Sequence, residues 1–141
     1  MVIAVDFDGT IVEHRYPKIG KPIPYAIDIL KQLSNEHHRL ILWTVREGDL
    51  LQEAIDYCEA QGLKFYAHNS NFPEEDRSVS PRKLSADLFI DDRNFGGLPD
   101  WGVIYRAIYK KISHELRFNE EDVYTEDTRP VRISPWKKLF K

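Results

Sequence analysis

Two pairs of carboxylates carry most of the chemical interest of this chain. Asp6 and Asp8 stand two positions apart in Asp6-Phe7-Asp8-Gly9-Thr10, directly after the apolar run Val2 to Val5. A carboxylate can attack phosphorus once a divalent cation lowers the charge repulsion, and a second carboxyl beside it can protonate the departing oxygen. Gly9 lets the backbone turn sharply at this point. The competing reading of such a string is a solvated turn or a calcium loop. Asp91 and Asp92 end a second apolar run, Leu88-Phe89-Ile90. Adjacent acids at the end of a buried strand repel each other and need a cation or hydrogen-bond donors. A hard, oxygen-ligated ion such as magnesium meets that need.

Four further residues could complete a phosphate site. Thr44 closes the apolar run Leu40 to Trp43, where its hydroxyl and backbone N–H could hold a phosphoryl oxygen; the alternative is a turn residue or helix cap. Lys83, eight residues before Asp91, could aim its ammonium at the same edge from a short helix and balance phosphate and carboxylate charge. Arg46 and Arg93 lie just beyond Thr44 and the paired acids, and either could grip an anionic substrate or simply pair with a neighbouring acid. His68 and Asn69 border the same edge with a weaker case. His37-His38 read as a solvated turn, and Trp43 and Trp101 as core.

The elements that must position these groups follow from periodicity. Val2 to Val5, Leu40 to Trp43, Phe65 to Ala67 and Leu88 to Ile90 read as buried strands, and Val103-Ile104 as a further one. Ile23, Ala26, Ile27, Leu30 and Leu33 repeat at helical spacing behind Pro22 and Pro24. Leu50, Leu51, Ala54, Ile55 and Cys58 do the same, with Gly62 as a stop, and Ala107 to Phe118 is amphipathic. Ser80-Pro81 is a candidate opening for one helical turn. Such alternation predicts a doubly wound, Rossmann-like α/β fold: a parallel sheet with helices on both faces and a site at the carboxyl ends of its strands. Residues 1–118 make one domain on this reading. Residues 119–141, acidic then basic, read as a C-terminal tail that is packed back on the domain or partly disordered, or else as a docking or dimerisation strap.

In this order, the D-x-D string after a strand, the strand ending in Thr44, Lys83, and the strand ending in Asp91-Asp92 resemble the haloacid-dehalogenase superfamily over Val2 to about Ile104. The resemblance implies a magnesium-dependent phosphomonoester hydrolase. It implies Asp6 as the nucleophile that forms an aspartyl-phosphate, and Asp8 as general acid and base. Thr44 and Lys83 would hold phosphate. Asp91 and Asp92 would hold magnesium with the Asp6 carboxylate and the Asp8 backbone carbonyl. Asp8 in its position favours phosphate chemistry over dehalogenation. The superfamily's caps have no counterpart here, because Ile11 to Lys21 and His68 to Ser80 are too short to form a domain. The absence of a cap implies an open site suited to large substrates or to closure by a second subunit, and it argues against the capped deoxyribonucleotidases that Ile90 to Arg93 resembles. Two other classes compete. A receiver-type phosphoacceptor uses the same residue types in another order, and a catalytically idle scaffold would keep the fold alone.

Composition narrows the partners. A formal charge of -3 offers no basic field for a phosphate backbone, so general nucleic-acid binding is not expected. The single cysteine, Cys58, permits no internal disulfide and fits a reducing, cytoplasmic setting. The start of the chain lacks the basic and long apolar regions of a signal peptide, and no run reaches the roughly 18 apolar residues of a membrane helix, so no membrane partner is expected. The phosphorylated substrate itself is left open.

Overall fold

The computed structural model describes residues 1–115, with side chains through 111. It contains β1 (Val2–Val5), α1 (Ala26–Asn35), β2 (Arg39–Leu42), α2 (Gly48–Ala60), β3 (Ala67–His68), β4 (Leu88–Ile90) and α3 (Trp101–Glu115). The strands form one parallel sheet in the order β3-β2-β1-β4, an α/β fold as the alternation predicts. Met1–Tyr105 make one compact unit. The boundary expected at 118/119 and the tail lie outside the described residues.

Strand alternation splits the apolar residues between two faces. Ala4, Ile41 and Ala67 pack with Leu84, and Val2, Trp43, Ala86 and Phe89 surround that cluster. Leu84 and Ala86 thus bring the connection between β3 and β4 over one face of the sheet. Ile3, Val5, Leu40, Leu42 and Ile90 alternate to the other face and are all buried. The steps from β1 to β2 and from β2 to β3 run the same way across the sheet, so right-handed crossovers lay α1 and α2 on one face. α1 buries Ala26, Ile27, Leu30 and Leu33, and α2 buries Ala54 and Cys58. After β3 the chain reverses and β4 pairs on the far side of β1. That reversal fits a doubly wound plan and makes the β1/β4 crevice the topological switch point, where such sheets bind ligands.

Two local expectations are corrected. Val103-Ile104 is not a strand but part of α3, whose buried Trp101, Ile104 and Ile108 fall three and four residues apart. Asp100 starts this helix, its carboxylate accepting the Gly102 N–H at 2.9 Å, which is the usual chemistry of a cap. The turn expected at Ser80-Pro81 does not become a helix. The connection 69–87 carries hydrogen-bonded turns about Asp76 instead, with Ser78 Oγ donating to Asp76 Oδ1 at 2.6 Å. The connection from β1 to α1 likewise holds only isolated bridges, Asp8 to Val12 and Val12 to Pro22, so no cap is built among the described residues. No helix is long and apolar enough to cross a membrane among these residues.

Candidate active site

The register of the sheet brings the acidic pairs together. Val5 is the partner of Ile90 and of Leu42, and Asp6 N donates to the Ile90 carbonyl at 2.9 Å, so the chain leaves β1 beside Asp91 and beside the end of β2. One carboxylate oxygen each from Asp6, Asp91 and Asp92 lies within 4.8 Å of the others. Burial pushes the Asp6 carboxyl up to about 7 from 3.8; the Phe7 N–H draws it back somewhat, and the charges of Asp91, Asp92 and Asp8 add to the rise. Asp92 Oδ1 is buried with no hydrogen-bond partner. Unpaired buried carboxylate oxygens are costly, and converging ones are what a hard divalent cation requires. The donor set therefore fits magnesium. The Asp8 carbonyl accepts no hydrogen bond among the described residues and is free to serve as a further oxygen ligand.

Thr10 and Gly9 hold this cluster in shape. Thr10 Oγ1 accepts the Asp92 N–H at 3.0 Å and sits 3.4 Å from Asp6 Oδ2, and its carbonyl accepts the indole N–H of buried Trp101 at 3.1 Å. A Cβ on Gly9 would lie 2.3 Å from Asp92 Oδ2, and Gly9 has φ 90°, so the position requires glycine twice over. Asp91 Oδ1 accepts the Arg93 backbone N–H at 2.8 Å, while the Arg93 side chain is exposed.

Asp8 is engaged elsewhere. Arg46 Nε and NH2 each donate to one of its oxygens at 2.7 Å, a bidentate pair in which the arginine is fully buried and Asp8 is 5% exposed. Two further N–H groups of Arg46 go to the carbonyls of Pro17 and Lys18, and its guanidinium lies over the rings of Phe7 and Tyr16. Of the two readings of Arg46, ion pairing is the one observed. The substrate-gripping alternative finds no support in this geometry, since the side chain is buried and four of its five N–H groups are already used.

Thr44 stands at the end of β2 next to the cluster, but its backbone N–H is given to Asn69 Oδ1 at 2.8 Å. Its oxygen accepts the Arg46 N–H at 3.2 Å, which leaves the hydroxyl proton to meet a ligand. Lys83 is exposed, and among the described residues no hydrogen bond or ion pair ties it to the three aspartates. The helix that was to aim it is missing, because 81–87 run irregularly across the sheet face.

The chain matches no family model and no curated protein. It does match a solved structure, a conserved protein from Bacteroides thetaiotaomicron, at 59% identity over 89% of this chain and 98% of that one, with a TM-score of 0.76. The two belong to one family. The relative's description names no reaction, so the chemistry of this family member rests on its own residues.

Two residues of this family member that position the site were given little or no weight in the sequence. Asn69 is buried at φ 50°, accepting from Thr44 N and donating from Nδ2 to the Arg46 carbonyl at 3.1 Å, so it locks both β2-end residues in place. Its signal was available: an amide just after a short strand, in a conformation asparagine tolerates better than other non-glycine residues. Thr10 was visible only as the last letter of the D-x-D-G-T string.

Proposed function

We propose that the protein is a magnesium-dependent phosphomonoester hydrolase that works through an aspartyl-phosphate on Asp6. The observation that carries the reading is the convergence of Asp6, Asp91 and Asp92 at the sheet's switch point, with an unpartnered buried oxygen on Asp92. Asp6, Asp91, Asp92 and the Asp8 carbonyl would hold the ion. Its charge would neutralise these acids and an incoming phosphate, which makes attack by a carboxylate feasible.

The chain's own groups divide the remaining work. Asp6 attacks phosphorus through one carboxylate oxygen as the bond from phosphorus to the leaving oxygen breaks; an aryl oxide takes its proton from solvent, and a poorer leaving oxygen needs one from Asp8. Thr44 donates its hydroxyl to a phosphoryl oxygen. Asp8, positioned by its two hydrogen bonds from Arg46, would take a proton from the water that cleaves the intermediate, freeing phosphate and restoring the Asp6 carboxylate. Protonating a poor leaving group demands more of it, because an acid paired with a buried guanidinium gives up that pair when it takes a proton. The same geometry favours substrates whose leaving oxygen departs without much help. The order of the motifs, with the attacking acid just after β1 and the acid pair just after β4, argues for a hydrolase over a receiver-type phosphoacceptor or an idle scaffold.

The single cysteine, buried with its thiol pushed up to about 12, suits a reducing cytoplasmic setting. The open, cap-less site suits either a large phosphorylated substrate or closure by a second copy of the chain. Hydrolysis of an aryl phosphate with magnesium, abolished by EDTA and inhibited by calcium, tests the reading. Undiminished turnover in metal-free buffer overturns it.

A further inference from the structure

A cavity of about 430 Å³ is lined by Trp43, Asn69, Leu84, Arg77, Arg82 and Glu75 among others. That volume is in the range of small-molecule sites. Its link to the chemistry is direct in the chain. Trp43 precedes Thr44, and Asn69, in its wall, accepts the Thr44 N–H. A phosphate held by Thr44 would therefore leave the rest of its molecule next to this cavity.

The lining is unequal in charge. Glu75 is spent internally: Asn71 donates to it from Nδ2 at 2.7 Å and from its backbone N–H at 2.6 Å. Arg77 meets exposed Glu47 at 3.3 Å or more, a contact of the kind that adds little in water, and the Glu75 carboxyl, held below its ordinary value first by Asn71, also feels the Arg77 charge. Arg82 is exposed and makes no hydrogen bond or ion pair among the described residues. The cavity thus offers one guanidinium without a partner among the described residues, Arg82, and a second, Arg77, held only by its weak contact with Glu47 and the charge of Glu75, beside the partly buried Trp43 and the buried Leu84. Planar, multiply donating guanidiniums favour carboxylates and phosphoryl groups.

We propose that this cavity is the specificity pocket of the site and selects a phosphomonoester that carries a second anionic group, its carbon skeleton resting on Trp43 and Leu84 and its second charge held by Arg77 and Arg82. The proposal rests on the hydrolase reading of Asp6. Nothing in the carboxylate cluster requires a second charge on the substrate; the pocket adds that requirement.

The test compares para-carboxyphenyl phosphate and para-(phosphonomethyl)phenyl phosphate with the uncharged para-carboxamide, which matches the carboxylate closely in shape. The wild type is expected to prefer the charged substrates in kcat/KM by about tenfold, the scale of one charge-assisted contact. The two charged probes tell a carboxylate pocket from a phosphoryl pocket. In R77A/R82A the ratio should fall toward one, and R77K/R82K should keep part of it; melting curves check that both variants fold. Equal kcat/KM in the wild type, or a preference that survives R77A/R82A, overturns the pocket. Calorimetry of para-carboxyphenyl phosphate on D6N separates the two readings. Binding lost in D6N/R77A/R82A, with no turnover in the wild type, keeps the pocket and ends the hydrolase. Absence of both binding and turnover ends both, and turnover without charge preference ends the pocket alone.

Discussion

Arg46 and Asp8 meet through two hydrogen bonds of 2.7 Å in the interior, between the loop after β2 and the loop after β1. The pair does three things at once. It fixes Asp8 just beyond Asp6, takes up both of its carboxylate oxygens, and, through the carbonyls of Pro17 and Lys18, ties down the connection that leads to α1.

Removing one member of a buried pair leaves the other charge uncompensated, which typically costs about 3–5 kcal/mol. Arg46→Ala is expected to lose stability on that scale in urea unfolding. Arg46→Lys should lose less, since one ammonium contact survives, yet it cannot reproduce the fork. A variant R46A as stable as the wild type would contradict the role given to this pair.

On the proposed reading Asp6 and Asp8 have different duties and should fail differently. Asp6→Asn removes the attacking oxygen and a metal ligand, so labelling and turnover vanish together. Asp8→Asn leaves attack on a good leaving group possible but removes the base for hydrolysis, lowering turnover by about 100- to 10,000-fold. Intact mass after a rapid quench should then reveal one added phosphoryl group on D8N and none on D6N. A label on Asp91 or Asp92, or a wild-type phosphoenzyme that lasts for minutes, would turn the reading to a signalling module.

The raised Asp6 carboxyl gives a pH dependence with a definite sign. With a folded value of about 7 against 3.8, the metal-free native state holds a proton that the unfolded chain has lost, so stability present at low pH disappears as pH rises from about 4 through about 7. His38 and His68, held below their ordinary value first by burial, act in the opposite sense. Comparing Asp6→Asn with the wild type cancels them. In EDTA the variant should be the more stable protein at pH 8, with little difference below pH 4. Magnesium, which competes with the proton, should raise the wild-type melting temperature more at pH 8 than at pH 5.5. Equal shifts at both pH values would speak against Asp6 as a ligand.

Gly9→Ala is expected to disturb the site through one contact. The added carbon meets Asp92 Oδ2, and the backbone stands at φ 90°. A loss of about 1–3 kcal/mol, the usual scale of such strain, should come with weaker magnesium binding by calorimetry. Binding identical to the wild type would show that Asp92 moves freely.

The acidic pairs, the strands that carry them and the helices behind them were legible in the chain because each is local. A buried strand is a run of apolar residues, and the acid that ends it needs no distant information. Gly62 and the spacing of Leu30 and Leu33 mark helices for the same reason. Short-range pattern failed where two local preferences competed. Val103-Ile104 looks like a strand until Asp100 caps the helix that contains it. The tertiary structure alone decided which charges meet. Arg46 lies 38 residues from the acid it holds, Asn69 lies 25 residues beyond the Thr44 N–H it accepts, and Lys83, near the acids in sequence, is carried along the exposed side of an irregular connection. Residue type states what a side chain can bind, and strand order states what comes within its reach. The order β3-β2-β1-β4 sets Asp6 between the ends of β2 and β4, and no spacing along the chain contains that fact.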